Sequence, residues 1–187
     1  MKMSCKRVHV GTGALLHNQE GKVLIGKRKS KHGNGKYALP GGWIDFGETF
    51  AYCVHREVKE ECGLDNANYF TETFAYCVHR EVKEECGLDI DANDFTFISA
   101  INACNDSEKC HAVSIYLQAK GFISQQPVNC EPEKCEGWFW IHPQDLKESP
   151  YYENLFQVLQ LFLNSYEFST NTFKWSLKQN SNVAELL

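Results

Sequence analysis

An α/β fold, with a mixed β-sheet held between helices, follows from three features of the chain. Short apolar runs bounded by turn residues recur on either side of residues 48–89. Within 48–89 the apolar residues fall at helical spacing, Ala51, Val54, Val58 and Cys62 at i, i+3, i+7 and i+11. A second helical stripe, Leu155, Val158, Leu159 and Phe162, follows the last strand-like run. Strands interleaved with two helices bury a sheet between helical layers.

Taken in order, Val8 to Leu16 alternates and reads as a strand, closed by a turn at Asn18-Gln19-Glu20-Gly21. Lys22 to Gly26 is a second strand that runs into the basic Lys27-Arg28-Lys29. Residues 30–36 form a loop with two glycines, and Tyr37-Ala38-Leu39 leads into Pro40-Gly41-Gly42. After residue 89, Phe95 to Asn102 and His111 to Ala119 read as a strand pair joined by a polar turn. Glu136 to Ile141 is a further short strand, aromatic at Trp138 and Trp140, and Tyr152 to Leu163 is the closing helix. Residues 165–187, rich in Asn, Ser and Thr, read as a loosely held tail. The domain is thus placed at residues 1–165 and a polar C-terminal tail at 166–187.

At 187 residues the chain is long enough for one domain with a sizeable core. No apolar run approaches a membrane span, and no membrane partner is expected. The start carries basic residues without an apolar signal segment. The nine cysteines are odd in number and four come from a repeat, so reduced thiols in a cytoplasmic protein are expected rather than a disulfide framework. Cys104 with Cys110-His111, and Cys130 with Cys135, lack the paired spacing of a zinc site. A net charge of −5 with no basic stripe argues against a nucleic-acid footprint and suits a small anionic substrate carried in on a metal ion.

Residues 48–65 read ETFAYCVHREVKEECGLD, and residues 72–89 repeat all eighteen letters. In the first copy, on a helix, Glu57 and Glu61 stand one turn apart with Glu60 beside them. Like charges at that spacing disfavour an isolated helix by about 0.2–0.5 kcal/mol per pair. Such a cluster makes sense around a hard divalent cation with oxygen ligands, such as Mg²⁺. Arg56 is placed to orient or partly neutralise the acids, and the Leu39-Pro40-Gly41-Gly42 loop lets a backbone carbonyl approach the same ion. As pattern alone, a charge run such as Lys59-Glu60-Glu61 is more often the solvated face of an amphipathic helix.

From Gly42 the spacing is Gly, five residues, Glu48, seven residues, Arg56-Glu57-Val58, one residue, Glu60-Glu61, one residue, Gly63-Leu64. On these residues the chain resembles the Nudix hydrolases. The resemblance implies an α/β/α sandwich, Mg²⁺ or Mn²⁺ as cofactor, and Gly41, Glu57 and Glu61 as metal ligands. Glu60 would be a further ligand or the base for the attacking water. Gly26-Lys27-Arg28-Lys29 and the stretch Glu131 to Trp138 are similar to the MutT-type nucleoside triphosphate diphosphatases. That implies a nucleotide substrate, ordinary or oxidised dNTPs such as 8-oxo-dGTP, with Arg28 meeting phosphate and Gly137-Trp138 bordering the base. As pattern alone, Trp138 and Trp140 are more often core or sheet-face aromatics than base-stacking platforms. The family's Gly-Gly-His is Gly41-Gly42-Trp43 here, which alters the pocket rim. ADP-ribose, another nucleoside diphosphate-X or a prenyl diphosphate stay open as substrates, as does a non-catalytic nucleotide sensor.

The repeat leaves two ways to complete the fold. Either the first copy is the catalytic helix and residues 66–89 loop out, or the second docks with Glu81, Glu84 and Glu85 as its acids. Each doubling of a loop costs only about 0.6 kcal/mol, so entropy does not choose. An unbroken Gly loop and helix make the first copy the expected catalytic helix; the second, with Thr71 as a better N-cap than Gly47, is the alternative register. Whichever copy is surplus carries an apolar stripe that needs a covering surface, and a homodimer is compatible with that.

Overall fold

The computed structural model describes residues 8–30, 33–43, 74–105, 110–169, 171–172 and 174–178. β1 (Val8–Leu15) runs parallel to β5 (Cys110–Ala119), which pairs antiparallel with β4 (Phe95–Asn105). β2 (Val23–Arg28) lies between β3 (Tyr37–Ala38) and β6 (Cys135–Ile141), antiparallel to both. α1 (Phe74–Cys86) and α2 (Gln157–Ser165) cover opposite faces.

Side-chain alternation on the strands explains the layering. Ala14, Leu24, Ile115, Leu117 and Ala119 join the Ala75, Val78, Val82 and Cys86 stripe of α1 in one core. Their strand neighbours Leu15, Val23, Ile25 and Tyr116 join Leu159, Phe162 and Leu163 of α2 in the other. A strand buried on both faces reads as a nearly continuous apolar run, as β1 and β2 do. The result is the α/β/α arrangement that the element order predicts.

Two elements differ from their sequence reading. The expected closing helix over Tyr152 to Leu163 is interrupted: a 3-10 turn covers Tyr152–Asn154, Leu155 and Phe156 are extended, and α2 begins at Gln157. The cause is β3, whose Tyr37 carbonyl accepts the Phe156 N–H at 2.8 Å and takes it out of any helical ladder. The expected loose tail instead forms a hairpin, β7 (Tyr166–Ser169) with β8 (Lys174–Leu177). Trp175 anchors it, only 5% exposed, with its indole N–H donated to His17 Nε2 at 3.0 Å. No helix among the described residues is long and apolar enough to cross a membrane.

Candidate active site

The site is built where α1 meets the loop after β3. β1 extends its pairing onto that loop: the Thr12 N–H donates to Gly42 O and the Ala14 N–H to Pro40 O, both at 2.8 Å. Gly41 has φ +146°, and a Cβ there would collide with the Thr12 carbonyl, so only glycine fits. At Gly42 a Cβ would run into the Glu81 carboxylate. The two glycines thus bring bare backbone against the acids of α1.

α1 is held by its apolar stripe and ended by Gly87, whose φ of +65° and N–H to Lys83 O at 2.9 Å make a left-handed C-terminal stop. With Val78, Val82 and Cys86 inside, Glu81 and Glu85 stand one turn apart on the flank that faces the loop. The Gly41 N–H donates to Glu85 Oε2 at 2.8 Å. Burial pushes the Glu85 carboxyl up to about 8, helped by the negative charges of Glu81 and Glu131 and opposed by the Gly41 hydrogen bond and Arg28. Burial also raises Glu81, against the pull of Arg80. Arg80 donates to Glu81 Oε1 at 2.6 Å and to Glu84 Oε2 at 2.8 Å, spanning the two acids.

These groups line one end of a cleft of about 380 Å³. Arg28, at the end of β2, enters it with its guanidinium 5.1 Å from the centre of the Phe156 ring and a 2.8 Å hydrogen bond to Ser30. Burial lowers the Arg28 pKa, while the charge of Glu85 acts the other way. Trp138 donates its indole N–H to the Glu85 backbone carbonyl at 3.0 Å and lies over Gly26, where a Cβ would come within 2.6 Å of its ring. It is therefore wall and brace together, packed against the α1 core. Gly137 stands behind that wall, and its carbonyl accepts the Cys135 thiol at 3.3 Å. Glu131, paired with Lys134 at 2.7 Å, is at the rim.

Of the predicted residues, the structure brings together Gly41, Arg28, Trp138, Glu81, Glu84 and Glu85. Arg56, Glu57, Glu60 and Glu61 of the first copy lie outside the described residues. Two residues of the cleft, Phe156 and Glu131, are not among the residues that the sequence marks for the site; Phe156 falls within the stretch expected as the closing helix. Glu131 carried a usable signal, as the first acid of the Glu131-to-Trp138 stretch. Phe156 carried none, because its place in the cleft depends on the Tyr37 carbonyl.

The sequence matches the family model of the NUDIX domain over residues 7–71 and again over 70–162. The chain belongs to the NUDIX domain family. Each match takes in one copy of the repeat. Among curated relatives, an ADP-ribose pyrophosphatase of Methanocaldococcus jannaschii is 48% identical over 46 residues, 25% of this chain and 27% of that protein. An NAD-capped RNA hydrolase, NudC, of Vibrio atlanticus is 42% identical over 53 residues, 27% of this chain and 19% of that protein. The NUDIX chain thus spans only about a fifth to a quarter of the length of these relatives. The MutT NUDIX hydrolase of Burkholderia pseudomallei superimposes with a TM-score of 0.60 at 24% identity, over 84% of this chain and 97% of that one. The NUDIX domain of Shewanella oneidensis NrtR, complexed with ADP ribose, gives 0.57 at 20% identity, over 86% and 88%. These likenesses show the NUDIX fold.

Proposed function

We propose that this NUDIX chain is a divalent-metal-dependent hydrolase of nucleotide phosphoanhydrides, cleaving a nucleoside triphosphate to the monophosphate and pyrophosphate. The observation that carries the reading is the Glu81–Glu85 pair, buried against Gly41 and Gly42 at one end of a cleft that also holds Arg28. Burial disfavours two carboxylates in such proximity unless a cation joins them. Mg²⁺ is commonly held through one or two carboxylates with waters and substrate phosphates completing its shell. The donor set here has that make-up: two carboxylates of α1, Glu81 and Glu85, beside the backbone of Gly41 and Gly42. Glu81, Glu85 and the Gly41 carbonyl would hold Mg²⁺ or Mn²⁺. When bound, the metal lowers the pKa of water and offsets charge on the phosphoryl oxygens.

The chain's own groups supply the rest. Arg28 meets phosphate as a fixed cation at the end of β2. Glu84, the most exposed of the three helix acids, takes the proton of the attacking water, and Arg80 sets its position. We assign the site to the second copy of the repeat, because α1 covers the core with that copy's own stripe. The eighteen-letter identity supports an internal duplication, and on this assignment the first copy is the surplus one.

Dinucleotide-like substrates are the second reading, favoured by the match to the ADP-ribose pyrophosphatase. Ordinary dNTPs, 8-oxo-dGTP and ADP-ribose, each with Mg²⁺ and with chelator, separate the two. Pyrophosphate release from triphosphates supports the first reading; AMP from ADP-ribose alone replaces it with the second. Glu81→Gln/Glu85→Gln should lower kcat by at least about 100-fold, and Glu57→Gln/Glu61→Gln should leave it unchanged. The reverse pattern moves the site to the first copy.

A further inference from the structure

We propose that Trp43 is the stacking platform for the substrate's nucleobase, which makes it a residue that selects base-bearing substrates over bare polyphosphate without choosing among bases. This deepens the nucleotide reading above and rests on it. Trp43 directly follows the two glycines that meet the acids, so whatever rests on it is adjacent to the phosphate end of the cleft. Its backbone is held by an antiparallel bridge to Gly11, and the preceding Gly42 carbonyl by the Thr12 N–H at 2.8 Å. One side of the indole is seated: a Cβ on Gly11 would lie 3.2 Å from its Cε3 atom, and the His9 ring is 5.4 Å away at 60°.

The indole is nevertheless 41% exposed, while the other tryptophan side chains of the described structure serve packing or bracing roles, Trp175 in one core, Trp138 and Trp140 against the other. An indole needed only for packing would be covered. This one is fixed by its backbone, supported by a glycine and left open, as a stacking surface must be. Its position is also central. Trp43 lines both the catalytic cleft and an adjoining cavity of about 400 Å³, and Ser114, Phe156 and Val158 are shared between the two in the same way. A flat heteroaromatic base laid on the indole would therefore sit at the junction of the two spaces, with its phosphates toward Glu81 and Glu85. Stacking of this kind tolerates any base, since every base has a π-face, and removal of the aromatic typically weakens binding about 5- to 150-fold.

Calorimetric binding of guanosine 5′-monophosphate and of inorganic tripolyphosphate, to wild type, Trp43→Ala and Trp43→Tyr, tests this without turnover. We expect Trp43→Ala to bind the nucleotide at least about ten-fold more weakly and Trp43→Tyr to stay within about three-fold of wild type. Tripolyphosphate, which has no base, should bind all three alike. Equal nucleotide affinity in wild type and Trp43→Ala overturns the proposal, and so does no nucleotide binding by wild type. A parallel loss of tripolyphosphate in Trp43→Ala also overturns it, because it would show damage to the glycine loop instead. A protein that binds the nucleotide through Trp43 but hydrolyses no phosphoanhydride would count against the proposed reaction and leave the platform standing.

Discussion

Ionising a carboxyl buried as Glu85 is costs free energy that a single backbone N–H from Gly41 does not fully return, which is why its pKa rises from 4.5 to about 8. The folded state then holds a proton between those two values that the unfolded chain releases. Stability from this group is complete below about pH 4.5 and declines as pH rises to about 8. In chelator-treated protein, wild type should therefore lose about 4 kcal/mol relative to Glu85→Gln between pH 5 and pH 8.5. Mg²⁺ should abolish the difference by making the ionised form the favoured one. Urea titrations at the two pH values decide it, and parallel curves for the two proteins would count against the buried, cation-seeking carboxyl. A neighbouring position tests the loop. Gly41→Ala forces a Cβ onto the Thr12 carbonyl at φ +146° and should destabilise the protein by about 2–3 kcal/mol. Gly35, also at positive φ but with open space around it, should lose only the backbone part of that cost.

At the scale of elements, α1 makes a test that only a duplicated sequence offers. Val82 is fully buried between α1 and the sheet, and Val58 is its counterpart in the first copy. Val82→Ala should cost about 2 kcal/mol and Val58→Ala close to nothing, as read from thermal or urea melts of the two single variants. Equal costs would mean that both stripes are buried; the opposite order would move the core to the first copy. The strands are legible in the sequence because their patterns are local: β1, β2, β4, β5 and β6 each show an apolar run bounded by turn residues. The acids of the candidate site are equally visible, as a set of residue types at fixed spacing. Which copy supplies them is not, since identical letters carry identical propensity and only packing separates them. The break between Asn154 and Gln157 is hidden for a related reason. Helical spacing persists through Leu155 and Phe156, while a carbonyl more than a hundred residues upstream takes the Phe156 N–H.

For the molecule as a whole, the hairpin β7–β8 ties the chain's later part to its first strands, and polar composition concealed it. Residues 165–187 are rich in Asn, Ser and Thr, yet two aromatics suffice as anchors. Trp175 donates its indole N–H to His17 Nε2, and the Phe168 ring stacks on the imidazole at 4.5 Å and 5°. The Trp175 backbone N–H also reaches Gln118 Oε1 of β5 at 3.4 Å, so the hairpin is fixed at two points. His17 must stay neutral to accept the indole N–H, and burial lowers its pKa from 6.5 to about 4. The unfolded chain thus binds the extra proton between those values. Stability from His17 is complete above about pH 6.5 and is lost as pH falls toward 4, amounting to about 3 kcal/mol. Both this group and Glu85 shape the pH profile, but with slopes of opposite sign, so the profile of wild type alone identifies neither. Comparison with His17→Gln isolates the imidazole, because glutamine keeps an amide acceptor and does not titrate. The stability gap between wild type and His17→Gln should shift against wild type by about 3 kcal/mol between pH 7 and pH 4, with Glu85 contributing equally to both proteins. A gap that stays constant over that range would mean that the hairpin is not held through a neutral imidazole and that another group sets the acid limit of the fold.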